Sequence, residues 1–376
     1  MLPLREKPLP NFYPVILAGG RGTRFWPRSR TSMAKQVLAL DGKETMIQQT
    51  VDRLRPLAAA QRFWVITNEH LRRTIAEQLD GVPQRQIIAE PAARNTAPAI
   101  GLAAFILLRD NPDAVIGMFP ADHVIKDEKR FRKTVARAVE LASMDENIVV
   151  MGFKPTRPET GYGYIELGAK LVKDVLFVRR FTEKPNAERA GYFVAAGNYF
   201  WNSGMFVWSA RTLANALREH LSETAPFLEE IAKAYGTRSF HKTFEKLYPL
   251  CENISIDYAV LEPRSTKGEH SSHLYCIPAE FGWNDLGSWA ALYEHRAAKS
   301  KENGAGTNVI EAKGKLSMDA DGNYIYAPDK FVAAVGVNDV VVVETDDALL
   351  VTTREKSQDV GKLVKQLEEL KKKKLL

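Results

Sequence analysis

Tyr13-Pro-Val-Ile-Leu-Ala-Gly-Gly-Arg-Gly-Thr-Arg-Phe-Trp-Pro-Arg-Ser-Arg-Thr-Ser-Met-Ala-Lys-Gln36 runs from an apolar stretch into a loop rich in glycine and arginine. Val15–Ala18 reads as a short buried strand. Gly19, Gly20 and Gly22 let the backbone turn tightly and turn its N–H groups outward with no Cβ in the way. Arg21, Arg24, Arg28 and Arg30 then bring four positive charges to one place, and Lys35 follows eleven residues after Arg24. Such a loop is built to receive phosphates. A plain surface turn with solvated arginines is the bland alternative, and charge this dense straight after a buried strand argues against it.

Two common glycine-rich phosphate motifs are excluded by spelling. No Gly-x-x-x-x-Gly-Lys-Ser/Thr string occurs. A dinucleotide fingerprint needs a third glycine where Phe25 stands, and Asp41, near the place of a ribose-binding acid, falls in a turn. Covalent and metalloprotease chemistries also lack their motifs, with no Gly-x-Ser-x-Gly and no His-Glu-x-x-His.

At 376 residues the chain is long enough for two domains. It has no apolar run of about 18 residues, so no membrane span is expected. Met1 to Pro8 lacks the apolar segment of a signal peptide, and Cys251 and Cys276 are expected to be buried and reduced, which places the protein in the cytoplasm. The net charge of +6 is partly local: Lys371 to Lys374 carry four of the excess charges and leave +2 for the rest. No nucleic-acid surface is read from it.

Residues 14 to about 155 alternate strands with amphipathic helices, the pattern of a mostly parallel α/β sheet. Strands are expected at Val15–Ala18, Phe63–Thr67, Gln86–Ala89, Ala114–Phe119 and Ile148–Met151, and helices at Thr45–Arg53, Leu71–Gln78, Ala97–Leu108 and Lys129–Ala142. Ala97–Leu108 is almost wholly apolar and should be buried. A β-rich stretch follows from Gly161 to Trp208, then a helical one from Ala210 to Leu261. From Thr307 onward six short strands, Val309–Ala312 to Ala348–Thr352, read as an all-β unit. Val360, Leu363, Val364, Leu367 and Leu370 share one face of a last helix, expected to pack on its own chain, with a homodimer contact as the alternative. The expected domains are 1–300, 301–358 and a helical, lysine-rich tail at 359–376.

Phe119-Pro-Ala-Asp-His123 ends a strand with Asp122, at the sheet edge where α/β proteins bind ligands. Gly282-Trp-Asn-Asp-Leu-Gly-Ser-Trp289 supplies a second acid, Asp285. Two carboxylates suit Mg²⁺ on phosphate oxygens, although either could simply cap a turn or helix. Lys184, fixed by Pro185, can aim an ammonium at a phosphate. Asn202 in Trp201-Asn-Ser-Gly204, read as a turn entering a strand, and Gly161-Tyr-Gly-Tyr-Ile-Glu166 have features that suit sugar hydroxyls. Arg94, Asn95 and Thr96 stand at a helix N-terminus, where they could meet a base edge or a phosphate, and Thr96 could equally be the cap.

In order, these motifs resemble the sugar-nucleotide pyrophosphorylases across roughly residues 14 to 292. Glu90-Pro-Ala-Ala-Arg-Asn-Thr-Ala-Pro98 and Trp283-Asn-Asp-Leu-Gly-Ser-Trp289 resemble the mannose/guanine branch. The resemblance implies a Rossmann-like nucleotidyltransferase domain with a mixed sheet, then a small left-handed β-helix-like domain and a terminal helix. It implies transfer of GMP from GTP to α-D-mannose 1-phosphate, giving GDP-mannose and pyrophosphate. By this likeness Gly19, Gly20, Gly22, Thr23 and Arg24 bind the triphosphate, and Glu90, Arg94, Asn95 and Thr96 lie near the guanine. Gly163, Glu183, Lys184, Asn202 and Asp257 surround the sugar phosphate. Asp122 and Asp285 hold Mg²⁺, with Mn²⁺ as the alternative, and Arg24, Lys35 and Lys184 are the catalytic cations. Glucose 1-phosphate with UTP or dTTP, and a non-catalytic regulatory paralogue, remain alternatives. Some relatives carry a further isomerase domain. With the chain ending at Leu376, no isomerase activity is expected.

Overall fold

Short runs of Val, Ile and Phe bounded by turns build the sheet, as their β-branched and aromatic side chains fit a pleated surface buried on both faces. In the computed structural model, which describes residues 8–172, 174–302 and 307–376, the strands are β1 (Phe12–Leu17), β2 (Trp64–Asn68), β3 (Ile87–Glu90), β4 (Val115–Pro120), β5 (Ile148–Phe153), β6 (Tyr164–Val172), β7 (Val175–Thr182), β8 (Tyr199–Ser209) and β9 (Leu274–Pro278). Met1 to Lys7, read as lacking a leader, and residues 303–306, just past the expected boundary at 300, lie outside the described residues.

The strand order is β3-β2-β1-β4-β8-β5-β9-β7-β6. β3, β2, β1 and β4 pair in parallel, and so do β5 and β9, whereas β8 runs antiparallel to β4, β5 and β6. The sheet is therefore mixed, as expected. The first five strands and the four helices between them fall within a few residues of the sequence reading. Helix Thr96–Asp110 is buried at every position from Ala97 to Leu107, and the core around it includes Leu213, Leu217, Leu228 and Ile231. Trp201 to Gly204 is not a turn but lies inside β8. A register shift against β5 between Val150 and Gly152, with Gly204 at φ 70°, makes it a bulge that re-aims the side chains there.

The chain divides into two compact units, each assembled from separated segments. The first comprises the chain through Gly19, Thr50–Ala121 and Ile125–Trp283; the second comprises Gly20–Gln49, Asp122–Val124 and Asn284–Leu376.

The second unit carries β10 (Val309–Met318), β11 (Tyr324–Val335), β12 (Val340–Glu344) and β13 (Leu349–Thr353) in that order. β10–β11 and β11–β12 are parallel, and β12–β13 is antiparallel. Four strands thus replace the six expected. Two of the expected gaps lie within strands: β10 passes Gly314 with a register shift after Ala312, and β11 runs through Pro328 and Asp329. Any Cβ at Gly314 would come 2.6 Å from the Phe331 ring, so the glycine serves close strand approach.

The terminal helix is Val360–Glu369. Val360 and Val364 are buried and Leu367 packs beside them, while Leu363 and Leu370 are exposed. Its buried stripe belongs to the core of its own unit.

Candidate active site

Phe25, which spoils the dinucleotide fingerprint, anchors the glycine-rich loop. Its ring is buried and lies 4.9 Å from that of Trp289, whose indole N–H donates to the Trp26 carbonyl at 3.0 Å. Truncating a ring buried this way costs about 3–5 kcal/mol. Gly22 has φ 61°, and a Cβ there would meet Lys35 Cβ at 2.5 Å, so only glycine lets the loop close on Lys35.

The four arginines do not act alike. Arg21 pairs with Glu368 at 2.5 Å and Arg30 with Asp347 at 2.7 Å. Arg28 stacks on Tyr326 and donates to the Ala39 carbonyl at 3.1 Å. Arg24 donates to a neutral acceptor, Gln358 Oε1, at 2.8 Å. Arg21 and Arg30 are thus each held by a carboxylate, whereas the side-chain acceptor of Arg24 is a neutral amide.

Within the second unit Lys35 joins the Asp122 side chain to the Asp285 main chain. Lys35 is 5 % exposed, and its ammonium donates to Asp122 Oδ2 at 2.8 Å and to the Asp285 main-chain oxygen at 2.5 Å. Burial works to raise the Asp122 carboxyl, but Lys35 and His123 more than offset it and hold it below the ordinary carboxylate range. A Cβ at Gly287 would sit 3.2 Å from Asp285 Oδ2 and 3.4 Å from Arg24 Nη1, so glycine leaves that flank open. Among the described residues no group of three or more His, Cys, Asp or Glu side chains is placed to hold a metal. Two hard carboxylates fit Mg²⁺, which keeps its remaining positions for water and substrate phosphate.

In the first unit, the bulge in β8 and the end of β7 bring the sugar candidates together. Asn202 Nδ2 donates to Asp257 Oδ1 at 2.9 Å, and the Asn202 N–H donates to the Gly163 carbonyl at 2.8 Å. Glu183 is buried; its Oε1 takes the Lys184 ammonium at 2.7 Å, while Oε2 is buried with no hydrogen-bond partner. A Cβ on Gly163 would come 2.6 Å from that oxygen. Lys184, at φ 42°, stays ionised: burial lowers its pKa, but Glu183 and Asp257 raise it further.

Glu90 lies beside Gly19, where a Cβ would be 3.4 Å from Glu90 Oε2. Its other oxygen accepts from the Tyr248 hydroxyl at 2.6 Å. Asn95, not Thr96, is the N-cap; it accepts from the Thr96 N–H, and Thr96 Oγ1 accepts from the Ile256 N–H at 2.9 Å. Arg94 donates to the Pro249 carbonyl. Arg94 and Thr96 are thus tied to the scaffold, and Glu90 offers the more open acceptor. Asp41 is hydrogen-bonded to His295 at 2.8 Å, a structural pair consistent with setting it aside as a ribose ligand.

Two carboxyls here titrate unusually high. Asp257 is pushed up to about 7, by burial first and by the Glu183 charge second. Glu90 is pushed up to about 7 by burial, against the pull of the Tyr248 hydrogen bond. Unfolded, such groups titrate near roughly 4. The folded state therefore holds the extra protons between these values, and their stabilising contribution is complete below about 4 and lost as pH rises toward 7. Asp257→Asn keeps the oxygen that Asn202 donates to and removes the charge. It should raise the thermal midpoint at pH 8 by on the order of 4 °C and by less at pH 5. Equal gains at the two pH values in a melting series would refute the raised carboxyl.

Tyr248, Gln358 and Glu368 were not legible as partners, because each reaches its target from 158 or more residues away with no motif of its own.

A mixed sheet with this loop after its first strand, and a buried lysine that ties the Asp122 carboxylate to the Asp285 main chain, suits an enzyme that handles nucleotide phosphates. The chain belongs to the nucleotidyl transferase family, whose model matches residues 13–302; that of the MannoseP isomerase/GMP-like beta-helix domain matches 314–367. It is 40% identical over 360 residues to the mannose-1-phosphate guanylyltransferase RfbM of Salmonella typhimurium, covering 94% of this chain and 72% of that one. It is 39% identical to the mannose-1-phosphate guanylyltransferase of Escherichia coli K12, over 95% of this chain and 73% of the relative. The crystal structure of a mannose-1-phosphate geranyltransferase from Thermus thermophilus superposes with a TM-score of 0.81 at 30% identity, covering 95% of this chain and 99% of that one.

Proposed function

We propose that this protein transfers GMP from GTP to α-D-mannose 1-phosphate, giving GDP-mannose and pyrophosphate. Identity of 39–40% over nearly all of this chain to relatives named for that activity supports the substrate pair, and Lys35, Asp122 and Asp285 near Arg24 support the chemistry.

The attacking sugar-phosphate oxygen is already anionic, so no general base is required. The barrier is repulsion between two anions, together with charge gathering on the α-phosphorus oxygens and on the departing pyrophosphate. In this reading Gly19, Gly20, Gly22 and Thr23 present backbone and hydroxyl groups to the triphosphate, and Arg24 and Lys35 neutralise it in place. Lys184 meets the sugar phosphate. Gly163, Glu183, Asn202 and Asp257 take its hydroxyls, and the unpartnered Glu183 Oε2 is an acceptor suited to one of them. A carboxylate such as Glu90 can accept from guanine N1–H and N2–H together, a pairing that uracil and thymine cannot offer. Arg94, Asn95 and Thr96 hold the backbone next to it. Mg²⁺, or Mn²⁺ in its place, would be held by Asp122 and Asp285 and would supply charge neutralisation on phosphate oxygens.

No helix among the described residues is long and apolar enough to cross a membrane. Cys251 and Cys276 are buried and unpaired, in keeping with a cytoplasmic setting.

Pyrophosphate release across a matrix of nucleoside triphosphates and hexose 1-phosphates, with and without Mg²⁺, tests the reading. GTP with mannose 1-phosphate should be the preferred pair. Preference for UTP or dTTP with glucose 1-phosphate would replace it, and no release with any pair would favour a binding protein. Within the same assay, Gly163→Ala crowds Glu183 and should raise KM for the sugar phosphate about tenfold, leaving KM for GTP unchanged. An unchanged sugar KM would remove Gly163 and Glu183 from the sugar's surroundings.

A further inference from the structure

Gln358 lies 334 residues from Arg24, on the turn Ser357–Asp359 that leads into the terminal helix, yet its amide oxygen receives Arg24 Nη1 at 2.8 Å. The contact is one of several between this segment and the glycine-rich loop, all inside the second unit. Glu368 holds Arg21 at 2.5 Å, and Val364 shares a core with Phe25 and Trp26. A Cβ on Gly361 would lie 3.5 Å from both Arg24 Cγ and Thr23 Oγ1.

The identity of the acceptor is the informative point. At Arg21 and Arg30 the hydrogen-bond acceptor is a carboxylate, which competes with an incoming anion for the arginine. At Arg24 it is a neutral amide of the same reach as glutamate. An amide oxygen fixes the direction of one guanidinium N–H and leaves the net charge whole for an incoming anion. A carboxylate in the same place would hold the arginine as firmly but would compete with the triphosphate for it.

We infer that Gln358 is a positioning residue for nucleotidyl transfer: it orients Arg24 toward the triphosphate without neutralising it, so that the C-terminal segment sets the poise of the glycine-rich loop. This rests on the function proposed above.

Two substitutions in the full chain separate direction from charge. Gln358→Glu keeps an acceptor of the same shape and adds a charge, so KM for GTP should rise about fivefold in 50 mM salt. The excess should shrink as salt is raised to about 0.5 M, because screening weakens the new ion pair. Gln358→Ala frees Arg24 but leaves its charge, so kcat should fall severalfold with KM for GTP changed less than twofold. Gln358 is exposed, so neither variant should melt more than a few degrees below wild type. A merely structural role predicts the reverse: Gln358→Glu would be wild-type in KM, and Gln358→Ala would lose stability. Wild-type KM for GTP in Gln358→Glu, or wild-type kcat in Gln358→Ala, overturns the inference. Absence of pyrophosphate release from the wild-type protein with GTP and mannose 1-phosphate would instead overturn the function on which it rests.

Discussion

Asp285→Asn should lower Mg²⁺-supported turnover of GTP with mannose 1-phosphate by about 10²- to 10³-fold while the protein stays folded. The two halves of this expectation come from different atoms of one residue. The Asp285 main-chain oxygen accepts the Lys35 ammonium at 2.5 Å, and the substitution leaves that bond alone. Its carboxylate lies against the open flank at Gly287, beside the Arg24 guanidinium. Asparagine keeps the shape and removes the charge, so one of the two hard anionic donors proposed for the metal is lost. Half-saturation by Mg²⁺ should move up with the loss of rate. GTP binding in the absence of metal should not weaken, since a negative charge near Arg24 has gone. Rates across a Mg²⁺ titration, equilibrium binding of GTP without metal and a thermal melt together check the claim. Wild-type activity in this variant would sink the metal assignment and the role of the cluster.

Much of the fold could be read because its signals are local. Val15 to Leu17 and Ile148 to Met151 are strands by composition alone, and the apolar run Ala97 to Leu108 could only be a buried element. The β unit was legible in kind and misread in count, because Gly314 and Pro328 mimic turns inside strands that continue past them. Parallel pairing between distant segments leaves no mark in a local window. Asp122 is legible from its place at a strand's end and Asp285 from its tryptophan-flanked loop, whereas the roles of Arg24 and Lys35 come from the family likeness. That Arg21 and Arg30 are paired away, that Asn95 rather than Thr96 caps its helix, and that Tyr248 serves Glu90 are decided by residues far along the chain. Composition alone shows four arginines in one loop; the family likeness singles out Arg24, and the structure adds the carboxylates that pair Arg21 and Arg30.

Lys35→Met should cost both turnover and stability, and the pH dependence of the second identifies the cause. Methionine matches the lysine stem in bulk, so the packing against Gly22 survives. The ammonium does not, and Asp122 Oδ2 loses its partner at 2.8 Å. Removing one member of a buried pair costs about 3–5 kcal/mol, but the Asp122 side chain is 35% exposed, and screening reduces the expected loss to roughly 1–3 kcal/mol at pH 7. Turnover should fall at least about 10²-fold, since a cation proposed to neutralise phosphate has gone. In the wild type the Asp122 carboxyl is held low, so the pair's stabilisation is present above the unfolded value of roughly 3.9 and is lost as pH falls through the lower folded value. In the variant, burial acts without Lys35 to oppose it, and the carboxyl should titrate higher. The stability gap between the two proteins should therefore be widest at neutral pH and narrow as pH falls toward 4. Asp122→Asn added to Lys35→Met removes the stranded carboxylate and should recover part of the lost stability at pH 7 without recovering turnover. Urea midpoints at pH 7 and pH 4.5 for wild type, single and double variants decide it. A gap that stays constant with pH, or a double variant no more stable than the single one, would mean that Lys35 acts by packing and not by charge.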